Sequence, residues 1–228
     1  GPLPLVSPPG FCYTQTNFST LEAFFVGSTP LYDALRAFAA QRPLRMHMPG
    51  HKGKSLPAPE LAAIARRAAE KLGWPIFVKP ANAGSSVGIS KAADRAALEK
   101  GVEIALREDD KVVFEEFVDA QEVECAAIGN PDDPSTVSTT RPGEILAGAE
   151  FYTYDDKYKN GVSQVVIPAR LPEEKLDEVK TYAAMAYTAL GCEGLARCDF
   201  FVEKDTGRVL INEINTFPGF TPISMYPK

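Results

Sequence analysis

Apolar positions recur at helical spacing in three long stretches of the chain, and short β-type runs lie between them. Leu176, Val179, Ala183, Ala186 and Leu190 form one stripe over Pro172–Leu190, a helix with proline at its start and Gly191 as its cap. Leu98, Val102 and Leu106 mark a second amphipathic helix over Ala93–Arg107, and the alanine-rich run Glu60–Leu72, stopped by Gly73, makes a third. Nearer the front, Leu31, Leu35 and Phe38 suit a short helix over Leu31–Ala40, ended by Pro43 and Met48-Pro-Gly50. Pro75–Pro80, Lys111–Val118, Glu122–Ile128 and Gln164–Pro168 read as strands. Residues 130–144 read as a polar loop, and Glu150–Val162 is aromatic and charged with neither period. The first 30 residues, rich in Pro, Gly, Ser and Thr, read as loop or disordered leader. Strands and helices alternate from Trp74, which predicts a mixed α/β (α+β) domain over 57–228 behind a mostly irregular leader, 1–56.

The last two strands carry the most informative residues. Side chains alternate along a strand, so Arg197 and Asp199 in Ala-Arg-Cys-Asp share one face, and Glu213 and Asn215 in Asn-Glu-Ile-Asn share another. Lys204-Asp-Thr-Gly-Arg208 suits a hairpin loop with Gly207 at the position of positive φ. Folding about Thr206 sets Asp199 opposite Glu213 and Arg197 opposite Asn215. Facing carboxylates destabilise a ladder unless something compensates them. A hard cation bound by two carboxylates and an amide oxygen does so, and such cations also hold substrate phosphates. A solvated sheet face with lysine partners is the other reading of the pair.

Three further segments carry candidate chemistry. Lys79 leaves a buried strand and enters a loop with Gly84, Ser85, Ser86 and Gly88, a point charge beside small hydroxyls and approachable backbone N–H groups, which suits phosphate. It lacks the GK[ST] ending of a Walker loop, and a surface turn is the plainer alternative. Glu115 and Glu122 lie near a strand end and the next strand's start, where they could accept from an adenine amino group and ribose hydroxyls or simply keep an edge soluble. The segment Glu150–Tyr158 reads as a lid whose Lys157 and Tyr158 reach a bound anion, or as an aromatic-anchored surface loop. His47 and His51 have the spacing of a helical metal pair, but Pro49-Gly50 between them forbids that helix.

Composition narrows the partners. A formal net charge of -6 argues against nonspecific binding to nucleic acid or to an anionic membrane. No apolar run approaches the roughly 20 residues of a membrane span, and no basic flank of a secretion signal stands at the front. The expectation is a cytoplasmic protein. Cys12, Cys125, Cys192 and Cys198 show no CxxC pair or disulfide framework, so they read as reduced thiols, with Cys198 turned into the core.

Taken in order, the strand lysine with its Gly/Ser loop, the Glu115 and Glu122 pair, the aromatic lid, Arg-x-Asp and Glu-x-Asn-x-x-Pro-Gly closely resemble the C-terminal, ATP-grasp portion of D-alanine–D-alanine ligases from about Glu60 to Lys228. The resemblance implies an ATP-grasp fold with antiparallel sheets and flanking helices, truncated at both ends. It implies a ligase that joins two D-alanines through an acyl phosphate for peptidoglycan precursors, with ATP and two Mg2+ ions, Mn2+ being an alternative. Lys79 would contact the phosphates, Ser85 and Ser86 would close over them, and Glu115 and Glu122 would hold adenine and ribose. Lys157 and Tyr158 match lid positions, and Tyr158 favours an amino-acid acceptor. Asp199, Glu213 and Asn215 would bind the metal ions, Arg197 would steady the acyl phosphate, and Ser224 and Met225 match the site of the acceptor carboxylate. The implied partners are small molecules, with a homodimer allowed. At the front, Thr29–Arg36 and Arg45–Gly53 resemble the opening of the pyridoxal-phosphate ornithine/lysine/arginine decarboxylases. The whole then reads as a decarboxylase-like leader joined to part of a ligase, which retains either turnover or Mg–ATP binding alone.

Overall fold

The computed structural model describes residues 16–17, 44–84, 86–130, 132–146, 164–221 and 224–228. The expected front helix Leu31–Ala40, the segment Glu150–Val162 with Lys157 and Tyr158, and residues Ser85 and Cys12 lie outside them.

Two antiparallel sheets organise the described residues. The smaller has β2 (Leu44–His47), β3 (Ile76–Pro80), β4 (Ser90–Ala92) and β5 (Lys111–Glu116) in the order β2-β5-β3-β4. The larger has the order β1-β11-β10-β6-β8-β9, with β7 also on β6. Its strands are β1 (Thr16–Asn17), β6 (Ala120–Asn130), β7 (Asp133–Thr139), β8 (Gly143–Leu146), β9 (Gln164–Val166), β10 (Gly194–Glu203) and β11 (Val209–Asn215).

Helices α1 (Ala58–Leu72) and α2 (Arg95–Glu108) cover one face of the small sheet. Helix α1 opens on Pro57, has Glu60 in its first turn and Lys71 in its last, and stops at Gly73 with φ 73°. The Asp94 side chain caps α2 by accepting from Ala97 N at 2.8 Å. Gly101 lets α2 approach the sheet closely, because a Cβ there would lie 3.2 Å from Val78 Cγ2. Ile76, Val78, Val112 and Phe114 meet Leu61, Ile64, Leu98 and Val102 in this core. Leu44, Met48 and Leu56 are buried in the same core. Residues 44–56 thus supply an edge strand and three core side chains to the small sheet. His47 ends that strand beside Asp110, and the exposed His51 ring contacts Pro49 O, so the two histidines do not meet.

Helix α3 (Glu173–Ala189) covers the large sheet with the expected stripe Leu176, Val179, Ala183 and Ala186. Tyr187 joins it, fully buried, its hydroxyl donor shared between Gly129 O at 2.6 Å and Gly194 O at 2.9 Å. On the helix side of the sheet stand Val123, Cys125 and Ala127 of β6 and Ala196, Cys198, Phe200 and Val202 of β10. Burial raises the Cys125 thiol to about 12 and the Cys192 thiol to about 11, so both stay protonated at neutral pH.

The structure corrects the reading of residues 130–144 as a loop. They contain β7 and the start of β8, both paired with β6. Strand β7 is nearly all exposed, so no buried alternation marks it in the sequence. It is formed instead by local hydrogen bonds: Ser135 N donates to Asp133 Oδ1 at 3.1 Å, and Thr136 Oγ1 accepts from Asn130 N at 3.0 Å.

Candidate active site

The face of the large sheet opposite α3 holds the acidic residues. With Val123, Cys125 and Ala127 turned to the core, Glu122 and Glu124 of β6 point the other way. Arg197 and Asp199 do the same on β10. Strand β11 reaches this arrangement through an irregularity. From the hairpin upward Val202 pairs with Val209, Phe201 with Leu210 and Phe200 with Ile211, and then Asp199 pairs with Glu213. Asn212 is the extra residue of a β-bulge. Val209 and Ile211 face the core below it and Ile214 above it, so the bulge shifts the parity of β11 and turns Glu213 and Asn215 to the acidic face. The expected pairs Asp199 with Glu213 and Arg197 with Asn215 are present, but the straight ladder about Thr206 is not. The hairpin itself is as expected, with Gly207 at φ 65°.

Three carboxylates therefore stand in register across adjacent strands. Glu124 lies opposite Asp199, and Asp199 opposite Glu213. The guanidinium of Arg197 forks Asp199, Nε donating to Oδ1 and Nη2 to Oδ2, each at 2.7 Å. Its Nε is 3.3 Å from Glu124 Oε2, and its Nη2 is 3.9 Å from Glu213 Oε1. Burial alone would lower the Arg197 pKa, but Asp199 first, then Glu124 and Glu213, hold it above its ordinary value. One guanidinium against three carboxylates leaves excess negative charge, which suits a cation. Asn215 is buried, and its Oδ1 accepts from Phe217 N at 3.0 Å.

The helix side of the small sheet is likewise its core side, and its other face presents Phe77, Lys79 and Glu115. Lys79 Nζ pairs with Glu115, and the two side chains are 14% and 7% exposed. Burial opposes the lysine's charge, yet Glu115 first, and then Glu213 and Glu122 of the other sheet, raise its pKa above the usual value. The polar faces of both sheets thus act on one lysine. In the loop after β3, Ser86 has φ 62°, a left-handed conformation uncommon for a residue with a side chain, and Gly88 has φ 73°.

A cavity of about 140 Å³ adjoins the acidic row, bounded by Glu124, Arg197, Gly143, Ile167, Met225 and Tyr226 among others. Gly143 stands at its wall, and a Cβ there would lie 2.2 Å from Met225 Sδ and 3.0 Å from Ile167 Cγ1, so both side chains would have to shift to admit one. Ser224 sits beside it in the C-terminal turn, its Oγ accepting from Thr221 N at 3.1 Å. Of the residues singled out from sequence, Lys79, Glu115, Glu122, Arg197, Asp199, Glu213 and Asn215 are brought onto the two polar faces, and Met225 adjoins Arg197 at the cavity. Among the described residues no three carboxylate, thiol or imidazole groups converge as a closed metal cage. Asp199, Glu213 and the Asn215 amide are oxygen donors on the one polar face, the ligand type that a magnesium ion takes alongside waters and substrate phosphates.

Two carboxylates stood outside the sequence reading. Glu124 follows Glu122 by one strand repeat, so the alternation that exposes Glu122 also marks it. Glu144 is 2% exposed and belongs to a stretch read as loop. It accepts from Arg170 Nε and Nη2, each at 2.9 Å, from Arg170 N at 3.1 Å and from Gln121 Nε2 at 3.1 Å.

The family model "D-ala D-ala ligase C-terminus" matches residues 54–228. The D-alanine–D-alanine ligase of Acetivibrio thermocellus is 54% identical over 168 residues, which cover 74% of this chain and 44% of that protein. That of Caldicellulosiruptor bescii is 50% identical over 163 residues, 72% of this chain and 44% of that protein. Among solved structures, D-alanyl-alanine synthetase A from Vibrio cholerae superposes with a TM-score of 0.71 at 31% identity, covering 93% of this chain and 58% of that one. The D-Ala:D-Ser ligase VanG from Enterococcus faecalis gives 0.69 at 31% identity, covering 85% and 52%. This chain spans under half the length of the two curated relatives.

Proposed function

Because this chain belongs to the D-alanine–D-alanine ligase family, matching its C-terminal part, we propose that it carries the nucleotide, metal and acyl-phosphate portion of an ATP-dependent ligase joining two D-alanines. The observation that supports this most is the in-register row Glu124, Asp199 and Glu213, with Arg197 within it and its field reaching Lys79 from the neighbouring sheet. In this reading Lys79 binds the ATP phosphates while Glu115 keeps it ionised and oriented. Ser85 and Ser86 lie on the loop over those phosphates, and Glu115 and Glu122 accept from the adenine amino group and the ribose. Asp199, Glu213 and Asn215 hold two magnesium ions, for which manganese can substitute; when bound, they offset negative charge that develops on phosphoryl oxygens.

The carboxylate of one D-alanine attacks the γ-phosphorus of ATP and ADP leaves. The amine of a second D-alanine then attacks the acyl carbon and inorganic phosphate leaves. Both steps build charge on oxygen, and Arg197 is the donor beside that charge. Ser224 and Met225 hold the acceptor's carboxylate at the cavity, and Lys157 and Tyr158 close over the phosphates and substrate. Products of this kind serve peptidoglycan synthesis, and a cytoplasmic location belongs to the same reading. Among the described residues no helix is long and apolar enough to cross a membrane.

Since the match covers under half of the relatives' length, binding and turnover are separate claims. Binding is tested by thermal unfolding with and without Mg–ATP, and the absence of any shift overturns the reading. Turnover is tested by D-alanine-dependent phosphate release. The parent chain should release phosphate, and Asp199→Asn should release it about 100-fold more slowly or not at all. Stabilisation without release leaves a Mg–ATP-binding unit and overturns turnover by this chain alone.

A further inference from the structure

Asp199 has two partners to serve. Both its oxygens accept from Arg197 at 2.7 Å, and the same carboxylate is the central member of the set proposed to hold metal. A forked guanidinium takes one lone pair on each carboxylate oxygen and sets a positive charge beside them, which repels an incoming cation. The fork and metal binding therefore compete. Arg197 is only 19% exposed, so it cannot leave Asp199 for bulk water without losing a buried ion pair, a costly change.

Glu124 resolves this competition. It lies opposite Asp199 on β6, its side chain is 12% exposed, and its Oε2 is already 3.3 Å from Arg197 Nε. It points away from the core under α3, so its charge contributes nothing to that packing. Glu213, the other carboxylate near Arg197, is farther away at 3.9 Å and is itself in the proposed metal set. We infer that Glu124 is a positioning residue that takes the Arg197 guanidinium when Asp199 turns to a divalent cation, keeping the arginine over the cavity beside Met225. This rests on the reading of Asp199 as a metal ligand. Without Glu124 the guanidinium stays on Asp199, and the cation must displace it.

The test is manganese binding, read by the electron paramagnetic resonance signal of free Mn2+ titrated into the full chain with ADP, so no turnover is needed. Glu124→Gln should raise the Mn2+ dissociation constant about tenfold, in the range usual for groups that orient metal ligands. Glu124→Asp keeps the charge but shortens the reach, and it should weaken Mn2+ as well. In an Arg197→Met background Glu124→Gln should change the constant less than about twofold, because residues that act through one another are non-additive. Parent-like affinity in Glu124→Asp, or an equal loss with and without Arg197, makes Glu124 a source of field only and overturns the inference. If Arg197→Met does not fold, judged by its circular dichroism, the Glu124→Asp result decides. Asp199→Asn separates the two claims: parent-like Mn2+ binding by that variant, or none by the parent, overturns the metal reading itself.

Discussion

Glu144 stays ionised at 2% exposure because Arg170 and Gln121 occupy both its oxygens. The hydrogen bonds from Arg170, against the opposing effect of burial, hold its pKa down from 4.5 to about 2. A lowered carboxylate pKa gives stability that is fully present above the unfolded value and is lost as pH falls from about 4.5 toward 2. The shift corresponds to about 3 kcal/mol at neutral pH. Urea unfolding of the parent and of Glu144→Gln should therefore differ by about 2–3 kcal/mol at pH 7, and the difference should shrink markedly by pH 3. A gap that does not change with pH would show that the clamp does not depend on charge. Individual residues differ in how far sequence exposes them. Arg197, Asp199, Glu213 and Asn215 are legible because alternation along a strand is local. Glu144 is not, since its partner Arg170 lies across a stretch with no visible period.

At the scale of elements, the Asn212 bulge does the most for the site. Strand β11 reads Val-Leu-Ile-Asn-Glu-Ile-Asn, and its apolar face changes parity between Ile211 and Ile214. A one-residue change of register moves every side chain beyond it to the other face. Deleting Asn212 should restore a regular ladder and leave Glu213 opposite Asp199 and Asn215 opposite Arg197, because the residue removed is the unpaired one. Mn2+ binding, read by the signal of the free ion, should therefore be retained. Loss of Mn2+ binding in a folded deletion variant would show that the bulge itself, and not only the parity of the strand, shapes the metal set. The three described helices are legible to within a residue or two, because each combines an apolar stripe with a start or stop signal. Strands β7 and β8 are not, because one is exposed and the other is short and carries Glu144. Strand β2 is also hidden: Leu44–His47 becomes a strand by pairing with β5, and nothing within those residues requires it.

At the scale of the whole molecule, two separate cores hold two sheets whose polar faces act on Lys79. Lys79→Met leaves Glu115 buried without its cation, and unfolding free energy should drop by about 3–5 kcal/mol. The double variant Lys79→Met/Glu115→Gln should recover much of that stability while still failing to bind ATP, measured by calorimetric titration. Full recovery of ATP binding in the double variant would remove Lys79 from the phosphate site. The sequence by itself determined the three described helices, the final hairpin and the residue types on its polar face, because periodicity and turn chemistry are properties of neighbours along the chain. It also carried the family resemblance, which the matching residues 54–228 bear out. Only the tertiary structure decided that Glu124 joins the acidic row and that residues 44–56 complete the small sheet. It also decided that the pairing of Asp199 with Glu213 depends on a bulge. Each of these is a relation between strands, set by which backbone groups find partners and which faces exclude water.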